Sequence, residues 1–262
     1  MHMLRESIHQ FRKSCGRGLL ALHHNVPSFR LRVGSMIPDG FLDSRWKRCD
    51  YHVFIDLFSG LGGASQAAAD HGWHVLRFDN NEALRGHVKN THYLDIMHPA
   101  FHKILDRLLL DYAASKDLDR AHLKIFLWGS PPCLDFSEGY NAPAMVARRE
   151  GREFSPDMSL IHKFLEIKTK INPEWWCMEN VRGAISHVNI SAAELNTDQF
   201  QRIGPYCLWK NFLDIRVPFG WKPPRKVDLW PSPLRANLRA LIPYEISNGV
   251  LEAIWLPTLE DY

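Results

Sequence analysis

From residue 52 onward, short apolar runs alternate with longer amphipathic stretches. Four apolar runs, each followed by a glycine-containing or acidic turn, predict buried strands over residues 52–58, 74–78, 123–128 and 175–178. Between them, residues 64–71, 82–90, 99–115 and 158–171 have the periodicity of helices that bury one face. Strands that alternate with helices are typical of β-α-β units, so we predict an α/β fold with a doubly wound parallel sheet.

The pattern changes after residue 204, where prolines interrupt a stretch rich in aromatic and basic residues. We predict no long regular elements there until a last helix, which the Ser247 hydroxyl would cap and which would end before Pro257. The chain therefore divides into a basic N-terminal extension (1–50), a main α/β domain (51–204) and a small loop-rich C-terminal cap (205–262).

Composition fits a protein with a sizeable core, because 45% of the 262 residues are hydrophobic and 23% are charged. No apolar run approaches the roughly 20 residues that span a bilayer. We expect a soluble intracellular protein without a membrane partner, cytoplasmic in a prokaryote or virus and nuclear in a eukaryote.

Residues 1–50 hold nine Arg and Lys against four acidic residues, 9 − 4 = +5, although the whole chain carries only +3. This extension is a phosphate-contacting segment, a loosely packed arm or a targeting peptide.

The five cysteines are odd in number and form no C-x-x-C pair. We therefore expect reduced thiols, with neither a disulfide framework nor a metal site. Cys177 lies inside an apolar run, so we interpret it as a small buried thiol.

A glycine-rich turn follows the first predicted strand, in the sequence from Asp56 to Gly63 that includes Gly60 and Gly62. Glycines let the backbone turn sharply and approach a nucleoside cofactor at the start of a helix, although a plain strand-to-helix turn has the same appearance. Asp79 and Asn80 follow the next strand about 20 residues later, where a carboxylate accepts hydrogen bonds from ribose hydroxyls.

A third acidic turn places Asp95 after a short predicted strand, where it could meet an adenine amino group or simply cap a turn.

The fourth predicted strand leads into Pro131-Pro132-Cys133. Two prolines favour an extended loop that presents the thiol above the carboxyl edge of the sheet. Such a cysteine is a candidate nucleophile, provided that its surroundings favour the thiolate.

The fifth predicted strand ends in Glu179-Asn180-Val181, at the same edge of the sheet and 46 residues after Cys133. Burial beside a ligand would keep the Glu179 carboxyl protonated and able to donate a hydrogen bond, whereas on its own it would be a helix cap. Glu179 and Cys133 together indicate a catalytic pair.

At these motifs the chain resembles the cytosine C5 DNA methyltransferase family. The glycine turn resembles its cofactor loop, Pro131-Pro132-Cys133 its nucleophile loop and Glu179-Asn180-Val181 its base-binding motif. The resemblance implies a Rossmann-like methyltransferase domain that binds S-adenosylmethionine and needs no metal. It also implies that Phe58, Gly60 and Pro131 line the cofactor site, together with Asp56 and Gly62 of the glycine turn, and that Asn180 braces the active-site loop.

The implied reaction is DNA methylation, as in a virus, a mobile element or a restriction-modification system. The Cys133 thiolate would add to C6 of a cytosine flipped out of the duplex, Glu179 would bind the N3/N4 edge, and C5 would accept the methyl group. An RNA cytosine methyltransferase, and a non-catalytic subunit that binds cofactor or nucleic acid, remain alternatives.

Two features depart from the family pattern. Only 25 residues, 209–233, are available for a target-recognition domain, so recognition by a separate subunit stays open. The paired-arginine motif retains only Arg202, our fourth candidate catalytic residue. The segment 205–233 interleaves aromatic and basic residues, which suits either a nucleic-acid surface or a cap that seals the sheet.

Overall fold

The computed structural model describes residues 51–188, 199–224 and 234–255, so the predicted extension 1–50 lies outside the described residues. These residues form a seven-stranded sheet in the order β3-β2-β1-β4-β5-β7-β6. Its strands are β1 (His52–Leu57), β2 (His74–Asp79), β3 (Thr91–Tyr93), β4 (Lys124–Gly129), β5 (Trp175–Asn180), β6 (Gln199–Ile203) and β7 (Tyr206–Lys210).

The first five strands are parallel, and β6 and β7 form an antiparallel hairpin that joins the sheet along β5. The chain winds outward from β1 to β3, returns to β4 beside β1, and then winds outward in the other direction. This reversal between β1 and β4 confirms the predicted doubly wound α/β fold. It also leaves a crevice at the carboxyl ends of these strands, the usual ligand site of such sheets.

Helices cover both faces of the sheet. They are α1 (Gln66–Asp70), α2 (Phe101–Ser115), α3 (Pro143–Arg149), α4 (Ser159–Ile171), α5 (Arg235–Arg239) and α6 (Tyr244–Trp255). One core packs α2 and α4 on the sheet, as the buried Phe101, Leu105 and Leu109 on α2 show. The other core packs α1 and α6 against the opposite face. No helix in the described ranges is both long and apolar enough to span a membrane.

Two predicted helices differ from the structure. Residues 82–90 form only a 3₁₀ turn, Glu82–Leu84, because Gly86 and Asn90 adopt positive φ angles of 83° and 57° that end helical winding. The last helix begins at Tyr244 rather than at Ser247. The Ser247 hydroxyl is buried, donates to the Ala64 carbonyl at 2.7 Å and accepts from the Ala67 amide at 3.1 Å. It therefore joins two helices instead of capping one.

The β6–β7 hairpin contains the boundary that we predicted between residues 204 and 205. Ile203 pairs with Tyr206 across the turn, and β7 then pairs with β5 from Cys207 to Lys210. Trp209 is fully buried in the first core. The predicted cap therefore contributes one strand to the central sheet and the helices α5 and α6, while residues 211–224 form neither helix nor strand.

Candidate active site

The loop after β1 combines three residues with left-handed backbone conformations. Phe58, Gly60 and Gly62 have φ angles of 60°, 52° and 76°. This conformation is strained for a phenylalanine and indicates that the surrounding contacts hold the loop in place. A Cβ atom at Gly62 would lie 2.8 Å from Nε of Arg77, so only glycine fits above that side chain.

Asp79 joins this loop to the end of β2. Its Oδ2 atom accepts a hydrogen bond from the Gly60 amide at 2.8 Å, and its Oδ1 atom accepts one from the Asn81 amide at 2.9 Å. A carboxylate offers about four acceptor positions, so roughly two remain for ligand hydroxyls. Asp79 therefore both shapes the glycine loop and presents acceptors beside it.

Asn80 follows β2 directly after Asp79, and Asp95 follows β3, one strand further out along the same edge of the sheet. The Asn80 side-chain amide donates to Oδ2 of Asp95 at 3.3 Å, and the Met97 amide donates to Oδ1 of Asp95 at 2.8 Å. Both side chains are exposed. The structure thus brings Gly60, Asp79, Asn80 and Asp95 together along the ends of β1, β2 and β3.

The Asp56 carboxylate at the end of β1 is buried and turned into the fold. It is 1% exposed and accepts a hydrogen bond from the Ser65 hydroxyl at 2.6 Å. The same hydroxyl accepts from Nε of Arg77 at 2.9 Å. Burial raises the pKa of Asp56 to about 6, partly opposed by Ser65 and Arg77. Asp56 supports the loop from inside, through two residues that the sequence analysis missed.

The nucleophile loop leaves β4 at Gly129, which packs so closely on the Phe164 ring that a Cβ atom there would overlap it. Pro131 is buried, and Cys133 is half-buried with a reduced thiol. The Cys133 carbonyl accepts from the Phe136 amide at 3.1 Å, which opens the 3₁₀ turn Leu134–Phe136. Cys177, by contrast, is completely buried, as predicted.

Asn180 connects the two halves of the candidate catalytic pair. Its Nδ2 atom donates to the Pro131 carbonyl at 3.1 Å, and its Oδ1 atom accepts from the Val181 amide at 2.8 Å. β4 and β5 are neighbouring parallel strands, so Cys133 and the half-buried Glu179 leave the sheet at the same edge. Asn180 therefore links the end of β5 to the loop that precedes Cys133.

The chain matches the family model described as C-5 cytosine-specific DNA methylase over residues 52–215, more than half of its length. It belongs to the C-5 cytosine-specific DNA methylase family. The matched region contains both the glycine loop and the Cys133 and Glu179 loops, so the family assignment covers the whole edge of the sheet described above.

Two curated relatives are bacterial methylases. The chain is 30% identical over 186 residues to Type II methyltransferase M1.HphI of Haemophilus parahaemolyticus, covering 68% of this chain and 46% of that protein. It is 31% identical over 146 residues to Type II methyltransferase M.HgiDI of Herpetosiphon aurantiacus, covering 55% of this chain and 42% of that protein. The chain therefore spans less than half the length of these two relatives.

Among solved structures, the chain is similar to a mutant of DNMT2 from Spodoptera frugiperda. The sequence identity is 16% and the TM-score is 0.37, with 65% of this chain and 53% of that chain covered. A similarity this low carries no argument about the fold, which the strand order shows directly.

Arg202, the fourth candidate catalytic residue of this methylase, lies at the same end of the sheet. It is exposed on β6, donates from Nε to the Gly204 carbonyl at 3.0 Å, and pairs in register with Cys207, which in turn pairs with Asn180. Burial raises the pKa of the Cys207 thiol; the Arg202 and Arg182 charges lower it. Two arginines thus lie near the Glu179 strand end.

Two further residues at this methylase site were missed by the sequence analysis. Oδ1 of Asn237, on α5, accepts from Nδ2 of Asn81 at 3.2 Å, and its side chain also lies beside Gly60. Gly183 touches the nucleophile loop so closely that a Cβ atom would overlap the Phe136 carbonyl oxygen. Only spatial proximity identifies Asn237, because 156 residues separate it from Asn81.

The aromatic residues of segment 205–233 divide into two groups. Trp209 and Phe212 are buried, and Tyr206 and Trp221 pack against the second core, as a sealing cap would require. Phe219 is fully exposed. Trp230, Arg225 and Lys226 lie outside the described residues.

Within the described ranges, no group of three or more His, Cys, Asp or Glu side chains could hold a metal ion.

Proposed function

We propose that this chain is a DNA cytosine-5 methyltransferase that uses S-adenosylmethionine as methyl donor. The observation that carries the proposal is the hydrogen bond from Asn180 to the Pro131 carbonyl, because it links the Glu179 strand end to the loop that presents Cys133. The resemblance assigned these two side chains to one reaction, and neighbouring parallel strands deliver them to one edge.

The residues at the neighbouring strand ends fit the methyl donor. The Asp79 carboxylate has further acceptor positions, which suit ribose hydroxyls as donors. The Asp95 carboxylate also has further acceptor positions, which suit an adenine amino group as donor. The left-handed backbone at Gly60 brings main-chain atoms close to the space above β1, where a side chain would otherwise stand. When bound there, S-adenosylmethionine supplies an electrophilic methyl group.

The proposed chemistry of the protein is covalent. The Cys133 thiolate forms a bond to C6 of cytosine, while Glu179 binds the N3/N4 edge and draws electron density away from C6. C5 then carries the electron pair that bonds to the methyl carbon, while the bond between that carbon and the sulfonium sulfur breaks and its electron pair leaves with S-adenosylhomocysteine. Loss of the C5 proton to a base and breakage of the bond between sulfur and C6 restore the aromatic ring and free Cys133. Asn180 acts as a positioning residue that keeps the thiol above the base.

The test is transfer of labelled methyl to duplex DNA, single-stranded DNA and transfer RNA in parallel. We expect label in DNA, loss of at least about 1,000-fold in Cys133→Ala, and little change in Cys177→Ala, whose thiol is completely buried in the second core. Duplex DNA with 5-fluorocytosine should trap a covalent adduct that survives denaturation, because fluorine cannot leave as the C5 proton does.

Three results would contradict the proposal in different ways. Label confined to RNA would change the substrate and leave the mechanism. Full activity in Cys133→Ala would refute the covalent mechanism. Binding of S-adenosylmethionine without any methyl transfer would favour a subunit that acts with a separate recognition protein.

A further inference from the structure

Phe219 stands at the tip of a tight turn. The Trp221 amide donates to the Pro218 carbonyl at 2.9 Å, and Gly220 has a φ angle of 75°. This combination defines a turn with glycine at the third position, as type II turns require, and Phe219 at the second. The Phe219 side chain is 106% exposed relative to its reference value. The turn itself does not require an aromatic residue at that position.

The segment below this turn is held at several points. The Gln201 side chain donates to the Ile215 carbonyl and accepts from the Ile215 amide, both at 2.8 Å. A Cβ atom at Gly249, on α6, would overlap the Arg216 carbonyl region, which shows how closely the backbones approach. Trp221 packs against the second core. The turn therefore presents the Phe219 ring from a fixed base and needs little ordering before it binds.

The turn is also close to the candidate active site. The Pro223 ring lies against Gly204, 3.5 Å from where a Cβ atom would be. Gly204 forms the turn before β7, whose Cys207 pairs with Asn180. Four residues of chain place the Phe219 Cα within about 15 Å of Pro223. The chain length therefore keeps the Phe219 turn near the end of the hairpin that pairs with Asn180.

The chain segment that carries Phe219, residues 215–224, holds only positive charges. Arg216 and Lys222 are exposed on either side of the turn, and residues 215–224 contain no Asp or Glu. The nearest acidic residue before this stretch, Asp214, accepts a hydrogen bond from the buried Lys210 at 3.0 Å. An exposed aromatic ring between two cations suits a polyanion with flat bases better than it suits a protein surface.

We propose that Phe219 stacks on an unpaired nucleobase of the bound DNA, with Arg216 and Lys222 neutralising the adjacent phosphates. This inference rests on the proposed function and adds a substrate contact outside the catalytic loops. Extrusion of the target cytosine leaves bases that have lost a stacking neighbour, at a cost of about a few kcal/mol, and an aromatic ring replaces part of that lost stacking.

The experiment measures binding of the full-length chain to a fluorescein-labelled duplex that carries one cytosine mismatch. Phe219→Ala and Phe219→Leu should each weaken binding roughly 5- to 50-fold, because neither retains a flat ring. Phe219→Trp should bind like the wild type, and its indole fluorescence should fall when DNA is added. Leu110→Ala, which truncates an apolar side chain that is 50% exposed on α2, is the matched control and should not change binding.

The same duplex is tested for methyl transfer by the wild type, which separates this inference from the proposed function. If the wild type methylates the duplex and Phe219→Ala binds it equally well, the stacking role is refuted and the proposed function stands. Binding by Phe219→Leu as strong as by Phe219→Trp would also refute stacking. If the wild type neither binds nor methylates any nucleic acid, the proposed function and this inference fail together.

Discussion

The parallel part of the sheet and the antiparallel β6–β7 hairpin contribute to the site in different ways. Each parallel strand ends at the same edge, so residues that directly follow β1, β2, β4 and β5 meet there. The hairpin reaches that edge through its turn. Arg202 lies on the hairpin, and Pro223 contacts Gly204 in the hairpin turn. Neither residue directly follows a strand. In the parallel part, chain order alone predicts which residues meet.

This difference extends to how each part is held together. The parallel part relies on close backbone approach at glycines, as at Gly183 against Phe136. The hairpin instead relies on polar side chains that satisfy the backbone of the segment that follows it, such as Lys210 and Gln201. Substitutions at these contacts should therefore have different consequences, with a loss of stability at Lys210 in the hairpin and a loss of turnover at Gly183 beside the nucleophile loop.

Lys210→Met should have the largest effect, on stability. The Lys210 amino group is completely buried and donates to the carbonyls of Phe212 and Leu213 at 2.7 and 3.0 Å. Methionine fills the space but leaves these acceptors unpaired, so we expect the free energy of unfolding to fall by about 3–4 kcal/mol in urea denaturation. Lys124→Met, which removes an exposed ion pair with Glu174, should cost less than about 1 kcal/mol. Equal losses in both variants would contradict a structural role for Lys210.

Gly183→Ala should affect turnover rather than binding. The added methyl group overlaps the Phe136 carbonyl and displaces the loop that carries Cys133. A displacement of about 1 Å costs roughly 100-fold in rate. We expect that loss in kcat for methyl transfer, with the Kd for S-adenosylmethionine unchanged in calorimetry. Gly139→Ala is the control on the same loop, because its methyl group meets only the flexible Ser137 hydroxyl at 3.3 Å. A weakened Kd in Gly183→Ala would indicate general disruption.

Asp56→Asn should produce the smallest effect, on the pH dependence of stability. An acid whose pKa rises from 3.8 to about 6 on folding binds its proton more tightly in the folded chain. Its stabilising contribution is complete below pH 3.8 and is lost as the pH rises through about 6. Between pH 4 and 7, the unfolding free energy of the wild type should therefore fall by about 2 kcal/mol relative to Asp56→Asn.

Asp111→Asn provides the control for that titration, because Asp111 is an exposed carboxylate paired with Arg107. Its unfolding free energy at pH 7 should stay within about 1 kcal/mol of the wild type, because an exposed ion pair contributes little. If Asp56→Asn follows the wild type across the same pH range, Asp56 does not titrate in this window, and its support of the glycine loop would be that of a permanently charged group.

Much of the fold and part of the site followed from the residues themselves. Four strands and three main-domain helices lie where apolar periodicity predicted them, because burial of one face is a local property of a sequence. The 82–90 helix was wrong, since periodicity does not register the left-handed backbone at Gly86 and Asn90. The Ser247 cap was wrong because a hydroxyl suits either a helix end or a buried contact between two helices.

The sequence by itself determined the doubly wound α/β class, the order of the motifs and the sheet edge at which the Cys133 loop and Glu179 emerge, because parallel strands deliver their ends to one edge. Only the tertiary structure decided that Asp56 faces inward, that Asn237 and Gly183 join the site, and that Phe219 alone among the described aromatics of the 205–233 segment stands fully in solvent. Those properties depend on contacts between residues far apart in the chain, and such contacts leave no local pattern.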